Sequence, residues 1–157
     1  MIESGYWQSP ALGLDVIGLR IIVAALLGAV LGIEREARDR DAGLKTHMLT
    51  AIAAATFTII TLELYLHVRS SEGANADPIR VIEAVTAGVA FIAAGAIIRN
   101  EDKVRGLTTG AGMWLAGAIG VASGAGQLVL AAMAAGTGFI VLTIIRWIEK
   151  RTFSGDS

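Results

Sequence analysis

Five stretches of this chain are apolar over lengths that suit a helix crossing a bilayer: Leu14–Ile33, Thr46–Leu66, Ile79–Ile98, Leu107–Ser123 and Gln127–Trp147. Crossing the hydrocarbon takes about 20 apolar residues as a helix, and the fourth stretch is at the short end of that range. Charged residues make up 17% of the 157 positions, against about 25% in soluble domains. The fold expected is therefore all-α: a polytopic helical membrane protein of five transmembrane helices. An external segment precedes it at 1–13, and a short cytosolic tail follows at 148–157. Met1 to Leu14 has no Lys or Arg and no cleavage-like ending, so the first stretch is expected to stay in place. The polar run Ser70–Asp77 ahead of Pro78 reads as a loop. Ser123-Gly124-Ala125-Gly126 reads as a tight turn between antiparallel neighbours.

Basic residues give the expected orientation. The first loop holds Arg35, Arg38, Arg40 and Lys45; the third holds Arg99, Lys103 and Arg105; the tail holds Arg146, Lys150 and Arg151. These ten of the chain's 13 Lys and Arg fall on one side of a five-span layout. That side is the cytosolic one, with the N-terminus outside and the C-terminus in the cytosol. Tyr6, Trp7 and Tyr65 fall near the outer interface and Trp147 near the inner one, as aromatic belts do.

The net charge of −1 gives no sign of nucleic-acid binding. There is no cysteine, hence no disulfide or thiolate metal site, and His47 and His67 are too few for a histidine metal cluster. No nucleophile stands at a readable spacing from a base, and no phosphate-binding loop is present. Neither an enzyme nor a resident cofactor is expected.

The 19 glycines are placed for helix packing. Ala24, Gly28 and Gly32 form a small-residue stripe on the first helix, and Gly112, Ala116, Gly120 and Gly124 form one on the fourth; Gly88 and Gly95 belong to the third. Such stripes let helices approach closely in lipid, within one chain or between copies in a homo-oligomer. The motif Gly43-Leu44-Lys45-Thr46 recurs 63 positions on as Gly106-Leu107-Thr108-Thr109, and Gly32 matches Gly95 at the same offset. This predicts two parallel helical-hairpin repeats plus one extra helix.

Three charges fall inside the spans. Arg20 lies about 9 Å and Glu83 about 6 Å below the outer ends of their helices, with Glu63 at similar depth. A lone charge at mid-membrane costs at least about 2.5–3.5 kcal/mol. Two readings follow: an outward-open polar cavity lined by Arg20, Glu63 and Glu83, or a buried ion pair, Arg20 with Glu83 first and Glu63 second.

On the cytosolic side, Glu34-Arg35-Glu36-Ala37-Arg38-Asp39-Arg40-Asp41 interleaves acids and bases. It is expected to continue the first helix with internal salt bridges; its four acids also offer the oxygen ligands that Mg²⁺ takes. Thr46, Thr108 and Thr109 are candidate caps for two helix N-termini that face the cytosol beside Lys45 and Arg105. Such N-termini attract an anion: a phosphate, an acidic lipid headgroup, or the acidic part of the first loop. His47 reads as a first-turn residue.

Taken in order, these motifs resemble the MgtC/SapB family of bacterial inner-membrane proteins from about Gly18 to Gly126. They run Gly28-x-x-x-Gly32-x-Glu34-Arg35-Glu36, Gly43-Leu44-Lys45-Thr46-His47, Asp77-Pro78-x-Arg80 and Gly88-x-x-Phe91-x-x-x-Gly95-Ala96-Ile97-Ile98. Val104-Arg105-Gly106-Leu107-Thr108-Thr109, Trp114 and Ile119-Gly120 follow. Lys45 stands where the family usually has arginine, and Ala90 and Ala93 where it usually has glycine. The resemblance implies a link to magnesium homeostasis and action by binding other membrane proteins, the ATP synthase among them. It also implies that the soluble C-terminal regulatory domain of longer members is missing here. A binding and regulatory membrane protein is thus expected first. A small oligomeric transporter or channel for Mg²⁺ or another small solute is the alternative.

Overall fold

The computed structural model describes residues 10–69, 77, 79–100 and 103–145. Five helices make up the fold: α1 Leu14–Glu36, α2 Leu44–Arg69, α3 Ile79–Gly95, α4 Leu107–Gly124 and α5 Leu128–Ile140. Two short strands, β1 Ile98–Asn100 and β2 Lys103–Arg105, pair antiparallel between α3 and α4, with Ile98 opposite Arg105. The apolar run expected to remain helical to Ile98 therefore ends at Gly95, a poor helix former. The last helix was expected to continue to Trp147. It is α-helical to Ile140 and then widens into a π-helical segment, Val141–Ile145; residues 146–147 lie outside the described residues. The outer aromatics Tyr6 and Trp7, the loop Ser70–Ala76 and the basic tail also lie outside them.

Two helical stretches, Leu14–Glu36 and Leu44–Leu66, are long and apolar enough to cross a membrane. The bundle's packing is inverted relative to a soluble core. Its buried positions are mostly small: Ala24, Ala51, Ala54, Ala55, Ala116, Ala131 and Ala135. Its large apolar side chains point outward, among them Ile22, Leu26, Phe57, Leu64, Leu130 and Phe91, which is 83% exposed. In water such a surface would be a large continuous apolar patch. In lipid it costs nothing, and small residues inside are what let helices touch.

Helix α4 is the hub, packing on α1, α2, α3 and α5. Its glycines make this possible. At Gly120, a Cβ would sit 2.7 Å from the Ala54 Cβ and 2.9 Å from the Ala51 Cα; at Gly117 it would press on Val89 of α3 at 2.8 Å. α1 reaches α2 in the same way: a Cβ on Gly28 would lie 2.9 Å from the His47 carbonyl oxygen, and one on Gly32 2.7 Å from the Leu44 Cα. Gly88 and Gly95, expected at helix contacts, have nothing within 4 Å of a built Cβ, because α3 rests mainly on α4 and only lightly on α2. Gly32 and Gly95, equivalent at the 63-residue offset, thus differ in what they face.

Two helix ends share one device. After α1, the Arg40 N–H reaches the Arg35 carbonyl at 3.2 Å and the Asp39 N–H reaches that of Glu36 at 3.1 Å. After α4, Gln127 reaches Ala122 at 2.8 Å and Gly126 reaches Ser123 at 3.0 Å. Both are Schellman closures, which need a left-handed residue just past the helix. Gly126 supplies it with φ 81°, and Asp39 with φ 50°.

Candidate functional site

The polar groups gather at the two ends of the bundle. At the end where α1 finishes and α2 and α4 begin, Glu34, Arg35, His47 and Thr109 are all buried. Arg35 lies seven residues beyond Gly28, on the stripe that faces α2 and α4. Its Nη2 donates to Thr109 Oγ1 at 2.5 Å, clamping the end of α1 to the first turn of α4. Thr109 in turn heads the buried stripe Gly112, Met113, Ala116 and Gly120 of α4. The Glu34 carboxylate pairs with the Arg38 guanidinium one turn on. His47 is fully buried. Its Nδ1 faces the Gly43 carbonyl oxygen at 2.8 Å, which makes Nδ1 the protonated nitrogen. Nε2 points toward α4, where a Cβ on Gly112 would come within 3.1 Å.

Glu36 turns back on the next helix. Its Oε2 accepts the Leu44 N–H at 2.9 Å, so a carboxylate from the first loop caps α2, where a helix terminus favours negative charge. Gly43 leaves room for that carboxylate, since a side chain there would collide with it. Of the three occupants considered for the helix N-termini, the acidic loop is the one found at α2. The threonines do not cap. Thr46 lies within α2, where its carbonyl accepts the Thr50 hydroxyl at 2.8 Å, Thr108 is exposed, and Thr109 serves Arg35. Gly106 occupies the N-cap position of α4 with φ 84°, where a side chain would strike the Ala96 carbonyl. Lys45 and Arg105 are exposed at this end.

As a magnesium site the first loop is occupied by its own protein partners: Glu34 by Arg38 and Glu36 by Leu44, while Asp39 and Asp41 are exposed. Among the described residues no three His, Asp or Glu side chains converge as metal ligands. The arrangement holds helices together by charge-assisted bonds; it presents no nucleophile beside a base.

At the opposite end the three charges expected within the spans do not meet. Arg20 Nη1 donates to the Gly124 carbonyl at 2.7 Å, which places a cation against the C-terminus of α4, the favourable end of its dipole. Glu63 accepts the N–H groups of Ala11 at 2.7 Å and Leu12 at 2.8 Å, just ahead of α1. Glu83 is exposed on α3, and among the described residues no ion pair joins it to Arg20. The expected Arg20–Glu83 pair is thereby corrected: α1 and α3 make no substantial contact because α2 and α4 lie between them. The thermal-stability losses of Arg20→Ala and Glu83→Ala in detergent should therefore add, within about 0.5 kcal/mol. A coupling well beyond that would restore the pair.

The expected salt-bridged continuation of the first helix is present in the Glu34–Arg38 pair, but the burial of Glu34, Arg35 and the first-turn residue His47 was not expected. The signal was present in the spacing, since positions 28, 32 and 35 lie on one helical face.

The family model for the MgtC family matches residues 21–151. The chain is 34% identical over 133 residues to the "Putative magnesium transporter YhiD" of Escherichia coli K12, covering 85% of this chain and 62% of that protein. It is 38% identical over 109 residues to protein SapB of Bacillus subtilis, covering 69% and 47%. With protein MgtC of Brucella abortus it shares 40% identity over 118 residues, covering 75% and 45%. No solved structure matches. The chain belongs to the MgtC family, and its matches span between 45% and 62% of these relatives' own lengths.

Proposed function

We propose that this chain is a membrane-spanning protein linked to magnesium homeostasis that works by binding and regulation rather than by moving a solute itself. Its helices would cross the bacterial inner membrane as two like-oriented hairpins and an extra helix. The polar cluster around Arg35 would lie at the cytosolic end and the Arg20–Gly124 contact at the outer end.

The observation that carries this reading is the gap between those two ends. Ala24, Ala51 and Ala55 form one fully buried apolar cluster; Leu31, Ile119, Ala131 and Ala135 form another. They fill the middle of the bundle along α1, α2, α4 and α5. A hydrated ion needs polar groups or water along its route. The two clusters offer none: the buried Thr50 and Thr58 hydroxyls turn onto carbonyls of their own helix, those of Thr46 and Ala54, and the buried Ser123 sits beside Gly124 at the Arg20 end. Partners for a binding protein of this kind include a second copy and another membrane protein, with the ATP synthase suggested by the family resemblance.

The alternative, a small oligomeric transporter or channel, is favoured by the name of the Escherichia coli relative. It would place the route between copies. Proteoliposomes containing only this protein decide between them. Mg²⁺ entry should match protein-free vesicles at every concentration. Saturable uptake that scales with protein would transfer the assignment to transport.

A further inference from the structure

Helices α2 and α3 diverge and leave between them an apolar groove of about 380 Å³ that opens on the outside of the bundle. Thr50, Ala54 and Phe57 line one wall, and Val81, Gly88 and Ile92 the other. We propose that this groove binds one acyl chain of an anionic phospholipid from the cytosolic leaflet, the headgroup resting on the basic residues at its mouth. The inference rests on the membrane placement proposed above.

Three observations select this occupant. The first is length. From Val81 to Ile92 the wall rises about 16 Å at 1.5 Å per residue, close to half of the roughly 30 Å hydrocarbon core. That suits a chain from one leaflet rather than a full transmembrane segment. The second is position. On α2 the lining runs from Thr50 to Phe57, in the half of that helix that starts at the Arg35 end; on α3 it runs from Val81, two residues beyond the helix start, to Ile92, three before its end, so one opening of the groove is at the Arg35 end. The third is charge. That opening is flanked by exposed Lys45 on α2 and by the hairpin of β1 and β2, whose Arg99, Lys103 and Arg105 are all exposed. Glu101 and Asp102, between the two strands in sequence, offset part of this charge; each cation near a membrane surface favours anionic lipid about fivefold. Gly88, with nothing within 4 Å of a built Cβ, leaves the groove open at mid-height.

The test is native mass spectrometry of the full chain released from detergent with equal phosphatidylglycerol and phosphatidylcholine. Floatation with vesicles of each lipid is run in parallel. The wild type should retain one phosphatidylglycerol in preference to phosphatidylcholine. Lys45→Gln with Arg105→Gln should lower that preference by about 25-fold, at about fivefold per charge. Gly88→Leu should abolish retention of both lipids while leaving the lipid-free melting temperature unchanged or raised. Equal retention of the two lipids by the wild type, or undiminished retention by Gly88→Leu, overturns the proposal. A wild-type dimer that Gly88→Leu splits into monomers also overturns it, by giving the groove to a second copy. A chain that floats with vesicles but shows no headgroup preference sinks the lipid site alone. A chain that does not float sinks the membrane placement as well.

Discussion

Thr109→Val should lower the thermal stability of the detergent-solubilised protein by about 1.5–3 kcal/mol, while Thr109→Ser should lower it far less. Valine nearly matches threonine in shape but removes the oxygen that accepts from Arg35 Nη2. Arg35 is 4% exposed and Thr109 2% exposed, so water cannot readily replace the lost acceptor. A buried hydrogen bond to a charged group is worth about that much, and leaving one buried N–H of the guanidinium without its acceptor is the larger part of the penalty. Serine keeps the hydroxyl and loses one methyl. If valine and serine cost the same, the loss is one of packing and the clamp between α1 and α4 is not what holds this end of the bundle.

The second large effect is a change of sign between glycines. Gly120→Ala should destabilise by about 1–3 kcal/mol, since the new methyl meets the α2 backbone at Ala51 and the Ala54 Cβ. These neighbours move only if the helices separate, and overpacking of that kind costs about this much. Gly136→Ala on α5 should stabilise by up to about 1 kcal/mol, because a Cβ there meets nothing within 4 Å and alanine is the better helix former. Thermal melts of both variants in one detergent read the difference directly. Two losses of equal size would mean that α2 and α4 do not meet at Gly120.

The glycines show how much of the packing was legible in the sequence. Small-xxx-small spacing identified Gly28, Gly32, Gly112 and Gly120 as contact candidates, and each of them faces a neighbouring helix closely. Identical logic chose Gly88 and Gly95, which face open space. Spacing marks a face on which a helix can be approached; it does not say whether a partner comes. Helix existence was legible from apolar runs, because length and composition alone decide that. The end of α3 was not, since Ile97 and Ile98 are as apolar as the helix they leave. Charges were harder still. Depth placed Arg20, Glu63 and Glu83 at one level, but lateral neighbours depend on which helices touch, and α1 makes no substantial contact with α3. Arg20 instead satisfies a backbone carbonyl 104 residues away, a partner that no side-chain pattern announces.

The central claim, that the Arg35 end and the Arg20 end of the bundle face opposite sides of a membrane, is tested most directly across α3. The chain has no cysteine, so single cysteines report without background. Asp77 precedes α3, where its Oδ1 accepts the Ile79 N–H at 3.0 Å, and Lys103 follows it on β2. Asp77→Cys and Lys103→Cys are labelled in intact cells with a membrane-impermeant maleimide, then again after permeabilisation. Position 77 should be labelled in intact cells and position 103 only once the membrane is opened. Labelling of both positions in intact cells, or of neither until permeabilisation, would put the two ends of α3 on one side and contradict the claim.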